Sequence, residues 1–251
     1  MGRLAGKVAI VTGAARGQGA GVARAFASEG AAVALWDVLD APGTEVAAEI
    51  ESAGGRAAYL HCDVGREGEI VAAVARTIET FGGLDVLYNN AAVIGYFRKI
   101  ADLPTAEWDR TLAVNLRGPF LCAKHALPSL IARRGVVLNV SSHGAEQASP
   151  IGIADYGVSK GGLVTLTYYL ASEYGADGVR ANCLMPGPVP TDLNAPFLAS
   201  EDGRRAAAAM IPLGRVGEIG DVARAAVFLA SDEAKWITGA VLRVDGGIVV
   251  Q

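Results

Sequence analysis

Short apolar, β-branched runs alternate with longer segments of helical periodicity along most of the chain. The runs that predict strands are residues 7–12, 31–36, 56–62, 84–88, 135–141, 179–184 and 240–244. The segments that predict helices are residues 17–28, 42–52, 67–81, 105–133, 155–174 and 219–230. Because the strand runs are continuously apolar rather than alternating, we expect each strand to be buried on both faces, as in a parallel sheet.

The repeated strand–helix order predicts an α/β fold with a doubly wound, mostly parallel seven-stranded sheet and helices on both faces. No linker, charge block or repeat divides the chain, so we expect a single domain over residues 1–251. Residues 186–212 interrupt the strand–helix alternation, because they are rich in proline, alanine and small polar residues. A segment of this length without a strand predicts a mobile substrate loop, or lid, with a short helix.

The composition excludes several classes of protein. The 251 residues are 51% apolar and 19% charged, which is enough for a large core and argues against disorder. The formal net charge is -4 and no basic run is longer than a pair such as Arg133–Arg134, which a helix end explains, so we expect no nucleic-acid binding. No apolar stretch approaches the length of a membrane span and no signal peptide is evident, so we expect no membrane association and a cytoplasmic location.

The cysteines and histidines give no sign of a metal site. Cys62, Cys122 and Cys183 are too widely spaced for a disulfide framework or a zinc site, and we expect them to be small buried residues. The histidines at positions 61, 125 and 143 lack the paired spacing of metal ligands. We therefore expect no metal.

A glycine-rich segment, TGAARGQG at residues 12–19, follows the first predicted strand and opens the first predicted helix. Gly13, Gly17 and Gly19 allow a tight turn and a close approach of backbone N–H groups to a pyrophosphate, which the helix dipole attracts. This position between strand and helix is the context that a dinucleotide-binding motif requires, and an ordinary βα turn is the alternative. The segment predicts a Rossmann-type fold.

Two residues bear on the choice between NAD and NADP. Asp37 follows the glycines by about 20 positions, at the end of the second strand, where a carboxylate binds ribose hydroxyls and repels the extra phosphate of NADP. Arg16, inside the glycine segment, could instead meet such a phosphate. Because a fixed carboxylate acts on the ribose directly, we expect NAD; a plain helix cap is the alternative role for Asp37.

Tyr156 and Lys160 stand four residues apart on a predicted helix, which places both side chains on one face. A phenol with an ordinary pKa of about 10 is a poor base at neutral pH, and a nearby ammonium favours its ionised form. Such a phenol can protonate a carbonyl oxygen as hydride arrives, or deprotonate an alcohol in reverse. A structural Tyr–Lys contact on an exposed helix face is the alternative.

Taken together, these motifs resemble the classical short-chain dehydrogenase/reductase family. The matching segments, in family order, are TGAARGQG at 12–19, NNAA at 89–92, NVSS at 139–142, Tyr156 with Lys160, PGPVPT at 186–191, and residues 238–239 and 245–247. They cover nearly the whole chain and keep register with the predicted strands. The resemblance implies an oxidoreductase that transfers a hydride between NAD(H) and a ketone or secondary alcohol.

The resemblance also implies the roles of the catalytic residues. Tyr156 would be the general acid/base, and Lys160 would lower the pKa of Tyr156 and bind the nicotinamide ribose. Ser142 would orient the substrate oxygen, and Asn115 would hold a water in a proton relay with the lysine. A solvent-facing polar residue inside a helix is the alternative interpretation of Asn115.

On the cofactor side, the resemblance implies contacts along the whole dinucleotide. The residues concerned are Gly13, Arg16, Gly17, Gln18, Gly19, Asp37, Asp63, Val64, Asn90, Ala91, Tyr156, Lys160, Pro186, Gly187, Val189 and Thr191. Asp63 and Val64 would touch the adenine, and Val189 and Thr191 would contact the carboxamide.

Three positions depart from the family pattern. Ala92 replaces the glycine usual in the Asn-Asn-Ala-Gly motif, and Gln18 replaces a common apolar residue in the glycine segment. Ser142 lies one residue further from Tyr156 than is commonest, which leaves Ser141 as an alternative catalytic serine. We favour Ser142, because Ser141 is expected to point to the opposite face at the strand end.

Substrate pockets in such folds lie outside the carboxyl ends of the strands. The candidate substrate contacts there are Ile94, Tyr96 and His143, and simple packing explains each of them equally well. The mainly apolar surroundings favour a hydrophobic ketone or secondary alcohol. Because family members are commonly tetramers, the resemblance also implies a homotetramer, packed through the helices at 105–133 and 155–174.

Two other functional classes remain open. A nucleotide-binding sensor would keep the fold without turnover, since fold alone does not establish chemistry, although the intact set of Ser142, Tyr156, Lys160 and Asn115 argues against it. A lyase or epimerase would use transient hydride transfer, but the short chain leaves no room for a second substrate domain.

Overall fold

The computed structural model describes residues 2–95 and 97–250. Within them, seven strands form one parallel sheet in the order β3-β2-β1-β4-β5-β6-β7. The strands are β1 (Val8–Thr12), β2 (Ala32–Asp37), β3 (Arg56–His61), β4 (Val86–Asn89), β5 (Val136–Val140), β6 (Arg180–Pro186) and β7 (Val241–Val244). The predicted α/β class and doubly wound parallel sheet are confirmed. The order reverses between β1 and β4, which is where such sheets bind their ligands.

Helices cover both faces of this sheet. They are α1 (Gly17–Ser28), α2 (Asp40–Ser52), α3 (Glu67–Phe81), α4 (Thr105–Leu112), α5 (Gly118–Arg133), α6 (Ala154–Tyr174), α7 (Ala195–Leu198), α8 (Glu201–Ala209) and α9 (Ile219–Ala230). Three of them, α1, α3 and α9, begin and end at the residues predicted from the sequence.

Two apolar cores flank the sheet, and alternate residues of each central strand enter opposite cores. On β1, Ala9 and Val11 pack with α1, α2 and α9, whereas Ile10 packs with α3, α5 and α6. On β2, Leu35 belongs to the same core as Ala9 and Val11, whereas Trp36 belongs to the same core as Ile10. Both faces of the central strands are therefore apolar, which explains why the sequence shows continuous rather than alternating runs.

The predicted helix over 105–133 is interrupted by a π-helical turn at Ala113–Arg117, between α4 and α5. Pro119 supplies a physical reason, because it has no N–H to donate to the carbonyl four residues earlier, which is that of Asn115. Single π turns of this kind occur frequently at functional sites.

The segment 186–212 is more ordered than predicted. A 3-10 turn at Asp192–Asn194 leads into α7 and then α8, so the segment holds two short helices rather than one. The Ser200 hydroxyl accepts a hydrogen bond from the Gly203 N–H at 3.0 Å and caps α8. This segment follows β6 directly and therefore starts at the carboxyl edge of the sheet.

Candidate active site

A cavity of about 720 Å³ lies at the carboxyl edge of the sheet, within the size range of ligand sites. The predicted cofactor residues all line it: Gly13, Arg16, Gly17, Gln18, Gly19, Asp37, Asp63, Val64, Asn90, Ala91, Tyr156, Lys160, Pro186, Gly187, Val189 and Thr191. Ser142, His143 and Ile94 line it as well. Asn115 lies behind the cavity wall, and the predicted substrate contact Tyr96 lies outside the described residues.

The glycine segment between β1 and α1, residues 12–19, is shaped to hold a phosphate, and we call it the glycine cradle. Gly13 and Gly17 have positive φ angles of 65° and 56°, a conformation that favours glycine. A Cβ atom on Gly19 would overlap the carbonyl oxygen of Gly13. No described side chain caps the first turn of α1, so its N–H groups remain available to an anion. These features fit the pyrophosphate of a dinucleotide.

Thr12 and Asn90 tie the glycine segment to the end of β4. The Thr12 hydroxyl accepts hydrogen bonds from the N–H groups of Asn90 and Ala91, both at 3.0 Å. The Asn90 amide donates back to the carbonyls of Thr12 and Gly13, at 3.0 and 3.2 Å. Gln18 donates to the Asn90 amide oxygen at 3.2 Å, which gives this departure from the family pattern a defined partner.

The Asp37 carboxylate borders the cavity and also accepts hydrogen bonds from three backbone N–H groups. One carboxylate oxygen accepts from the Ala15 N–H at 2.9 Å, and the other accepts from the N–H groups of Val38 and Leu39 at 2.8 and 3.1 Å. The side chain therefore fixes the glycine segment and the turn into α2, and it still borders the cavity while being only 9% exposed. Asp37 therefore holds the turn into α2 but does not cap the helix, whose N-cap residue is Leu39, and its role as a ribose ligand stays a prediction.

Lys160 lies beneath Tyr156 in a fully enclosed position. Its ammonium donates to the carbonyl oxygen of Val140 at 2.8 Å and lies 5.7 Å from the centroid of the Tyr156 ring. The side chain is only 2% exposed, and burial lowers the pKa of Lys160 to about 8. The pairing of the two residues on one helix face is as predicted.

The pKa of Tyr156 moves in the direction opposite to the expected one. Burial is the largest cause and raises the pKa of Tyr156, while a hydrogen bond with Ser142 acts to lower it. The spacing of Tyr156 and Lys160 does not reveal how deeply the phenol is buried, and desolvation of the phenolate outweighs the other contributions within the chain.

The two serines at the end of β5 have different partners. The Ser141 hydroxyl donates to the backbone carbonyl of Lys160 at 2.8 Å, so it holds α6 against β5. The Ser142 hydroxyl accepts from the Gly144 N–H at 3.2 Å and interacts with the Tyr156 phenol. This arrangement favours Ser142 as the serine that faces the reacting group.

Asn115 sits in the π turn and is fully buried, so its side chain does not face solvent. Its amide oxygen accepts from the Val93 N–H and its amide nitrogen donates to the Val93 carbonyl, both at 2.8 Å. The same nitrogen donates to Ser159 at 3.1 Å. The side chain therefore clamps the loop after β4 against α6, and the proposed proton relay stays a prediction.

The substrate end of the cavity combines apolar side chains with a few polar ones. His143 borders it, burial lowers the pKa of the imidazole, and its Nδ1 is enclosed without a partner among the described atoms. Sequence reasoning missed Arg110, Gln147 and Ser149, which also border the cavity. Each lies outside the recognised motifs, and the sequence contains no other signal that would have singled it out.

Comparisons with known proteins agree with this geometry. A family model described as "Enoyl-(Acyl carrier protein) reductase" matches residues 13–249. The chain is 36% identical over 255 residues to the uncharacterized oxidoreductase YxbG of Bacillus subtilis, covering 99% of this chain and 93% of that protein. It is 40% identical over 247 residues to cis-4-hydroxycyclohexanecarboxylate dehydrogenase of Sinomonas cyclohexanicum, covering 97% of each.

A solved structure from Beutenbergia cavernae, described as an NAD(P)-dependent gluconate 5-dehydrogenase, superposes with a TM-score of 0.92 at 34% identity. The match covers 99% of this chain and 98% of that one, which carries NADP at low occupancy. The chain belongs to the short-chain dehydrogenase/reductase family, and its class is that of the NAD(P)-dependent oxidoreductases. No helix in the described part of the chain has the length and apolarity needed to cross a membrane.

Gly19→Ala should weaken dinucleotide binding at least about tenfold, because the added Cβ overlaps the Gly13 carbonyl and distorts the cradle. Titration of the protein with NADH, followed by fluorescence, measures the effect. Gly68→Ala is the matched control, since a Cβ at this exposed helical position would meet nothing within 4 Å. Equal affinities for the two variants would contradict the cradle.

The free energy of unfolding of Lys160→Met, relative to wild type, should be higher at about pH 7 than at about pH 9.5. Burial lowers the pKa of Lys160 from 10.5 to about 8. Between these values the unfolded wild-type chain binds more protons than the folded one, so wild-type stability rises with pH. Urea unfolding at both pH values should show the difference falling by about 2 kcal/mol. A difference independent of pH would contradict a buried ammonium.

Proposed function

We propose that this protein interconverts a secondary alcohol and a ketone with NAD(H), using Tyr156 as the general acid/base. One observation carries the proposal: Ser142, Tyr156 and Lys160 meet in the wall of a cavity whose other end is the glycine cradle. A cavity that joins a dinucleotide cradle to a buried phenol–ammonium pair suits hydride and proton transfer in one step.

The protein's own residues supply the proton and the orientation. When bound, the nicotinamide ring supplies or accepts the hydride. In reduction, the Tyr156 phenol gives its proton to the carbonyl oxygen as the carbonyl carbon gains the hydride, and Ser142 holds that oxygen by a hydrogen bond. The Lys160 ammonium stabilises the phenolate left behind. Alcohol oxidation reverses each transfer.

The substrate end of the cavity supports an apolar substrate body. Ile94, Ile151, Phe197 and Met210 border it, and we propose that residues 186–212, several of which also border it, act as its lid. Cis-4-hydroxycyclohexanecarboxylate dehydrogenase is named for a ring that carries a secondary alcohol. We therefore propose an alicyclic secondary alcohol, or the matching ketone, as the substrate class.

Asp37 supports NAD over NADP. Its carboxylate is fixed by three backbone N–H groups at the cavity wall, where it would bind ribose hydroxyls and repel a 2'-phosphate. The NADP bound to the Beutenbergia cavernae protein shows that this fold also accepts the phosphorylated cofactor. The preference therefore depends on residues of this chain near the ribose.

We also propose that the protein forms a homotetramer through α5 and α6. Phe120 on α5 and Val158, Tyr168 and Tyr169 on α6 are about half exposed or more, which is unusual for large apolar side chains on a protein that remains monomeric. Light scattering should give about four times the chain mass of 25.7 kDa, and a mass of 25.7 kDa would contradict the proposal.

Tyr156→Phe should lower kcat by at least about a hundredfold and leave NADH binding within about twofold, because only the transferable proton is lost. The measurement is NADH consumption with a panel of alicyclic ketones, alongside a binding titration. Tyr174→Phe is the matched control, since this tyrosine ends the same helix and lies outside both the cavity and the face proposed for the tetramer. Equal activity of both variants would exclude Tyr156 as the acid.

The sensor alternative makes a different prediction for the same experiment. Wild-type protein would bind NADH tightly and consume none with any ketone of the panel. The enclosed phenol–ammonium pair argues against this outcome, because a buried ammonium is costly and a sensor has no chemical use for it.

A further inference from the structure

An ion pair connects the glycine cradle to the lid. The guanidinium of Arg16 lies 2.8 Å from the carboxylate of Asp192 in the 3-10 turn at Asp192–Asn194. Both side chains border the cavity and remain largely exposed, at 63% and 64%. The charge of Arg16 is therefore directed toward the lid.

Arg16 is nevertheless close to where the adenosine ribose would lie. Its neighbour Ala15 donates to the Asp37 carboxylate at 2.9 Å, and successive Cα atoms are about 3.8 Å apart. The long side chain of Arg16 can therefore reach the ribose beside Asp37 if it leaves Asp192. A guanidinium there would bind a 2'-phosphate, because arginine matches phosphate geometry with paired donors.

We propose that Asp192 is a positioning residue that sets cofactor selectivity by holding Arg16 away from the ribose. This inference rests on the proposed function and deepens it. Asp37 disfavours the 2'-phosphate directly, and Asp192 disfavours it indirectly, by competing for the cation that would bind it. A lid residue thereby takes part in the choice between NADH and NADPH.

The expected effect is modest because the ion pair is exposed. Exposed pairs are weak and screened by salt, so releasing Arg16 should change affinities by about two- to fivefold. The change should affect the affinity for NADPH, which carries the additional phosphate. Removing one negative charge near the cavity should also raise the affinity for both cofactors by a smaller amount. The ratio of the two dissociation constants removes the part of this gain that both cofactors share, and the double-mutant cycle below separates the rest.

The test is Asp192→Asn, with dissociation constants for NADH and NADPH measured by fluorescence titration at low salt. The ratio of the NADPH constant to the NADH constant should fall about two- to fivefold, and the fall should shrink at high salt. Asp202→Asn is the matched control: Asp202 pairs with Arg205 at 3.5 Å, in the same segment, and should leave the ratio unchanged.

A double-mutant cycle with Arg16→Gln shows whether Asp192 acts through Arg16. In the Arg16→Gln background, Asp192→Asn should leave the ratio unchanged, because the cation it controls is gone. An equal fall of the ratio in both backgrounds, or no fall in either, would overturn the proposal. If the wild-type protein bound neither NADH nor NADPH, the proposed function itself would be overturned. The two failures are therefore distinguishable.

Discussion

The hydrogen bonds between Thr12 and the start of the loop after β4 hold the site together. They lie where the strand order reverses, between β1 and β4, and four of them join Thr12 and Gly13 to Asn90 and Ala91. On one side they fix the glycine cradle. On the other they fix the loop that Asn115 clamps through Val93. The glycine segment and the loop after β4, which both border the cavity, are thereby held in fixed positions relative to each other.

Burial also shifts the pKa values of Tyr156 and Lys160, the proposed catalytic pair. It raises the pKa of Tyr156 and lowers the pKa of Lys160 to about 8, so the ammonium becomes the stronger acid of the two. In the proposed reaction, the phenolate left when Tyr156 gives up its proton would be the stronger base of the pair. No carboxylate forms a salt bridge with Lys160 in the part of the chain that the structure describes, so the Val140 carbonyl is its main stabilising contact.

Much of the fold could be predicted from the sequence, because it depends on local patterns. The continuous apolar runs gave the strands, and the limits of α1, α3 and α9 followed from periodicity. The site was predicted through motifs at strand ends, since parallel strands bring their carboxyl ends to one edge. What escaped prediction depends on contacts between distant residues. The Arg16–Asp192 pair, the polar wall residue Gln147 and the depth of Tyr156 are set by tertiary packing.

The proposed function requires that hydride passes between the nicotinamide and a carbinol carbon in this cavity. The most direct measurement is mass spectrometry of the alcohol formed from an alicyclic ketone with NADH that carries deuterium in place of both C4 hydrogens. We expect one deuterium on the carbinol carbon for each NADH consumed, with the hydroxyl proton coming from solvent. An alcohol without deuterium, or tight NADH binding with no ketone reduced, would contradict it.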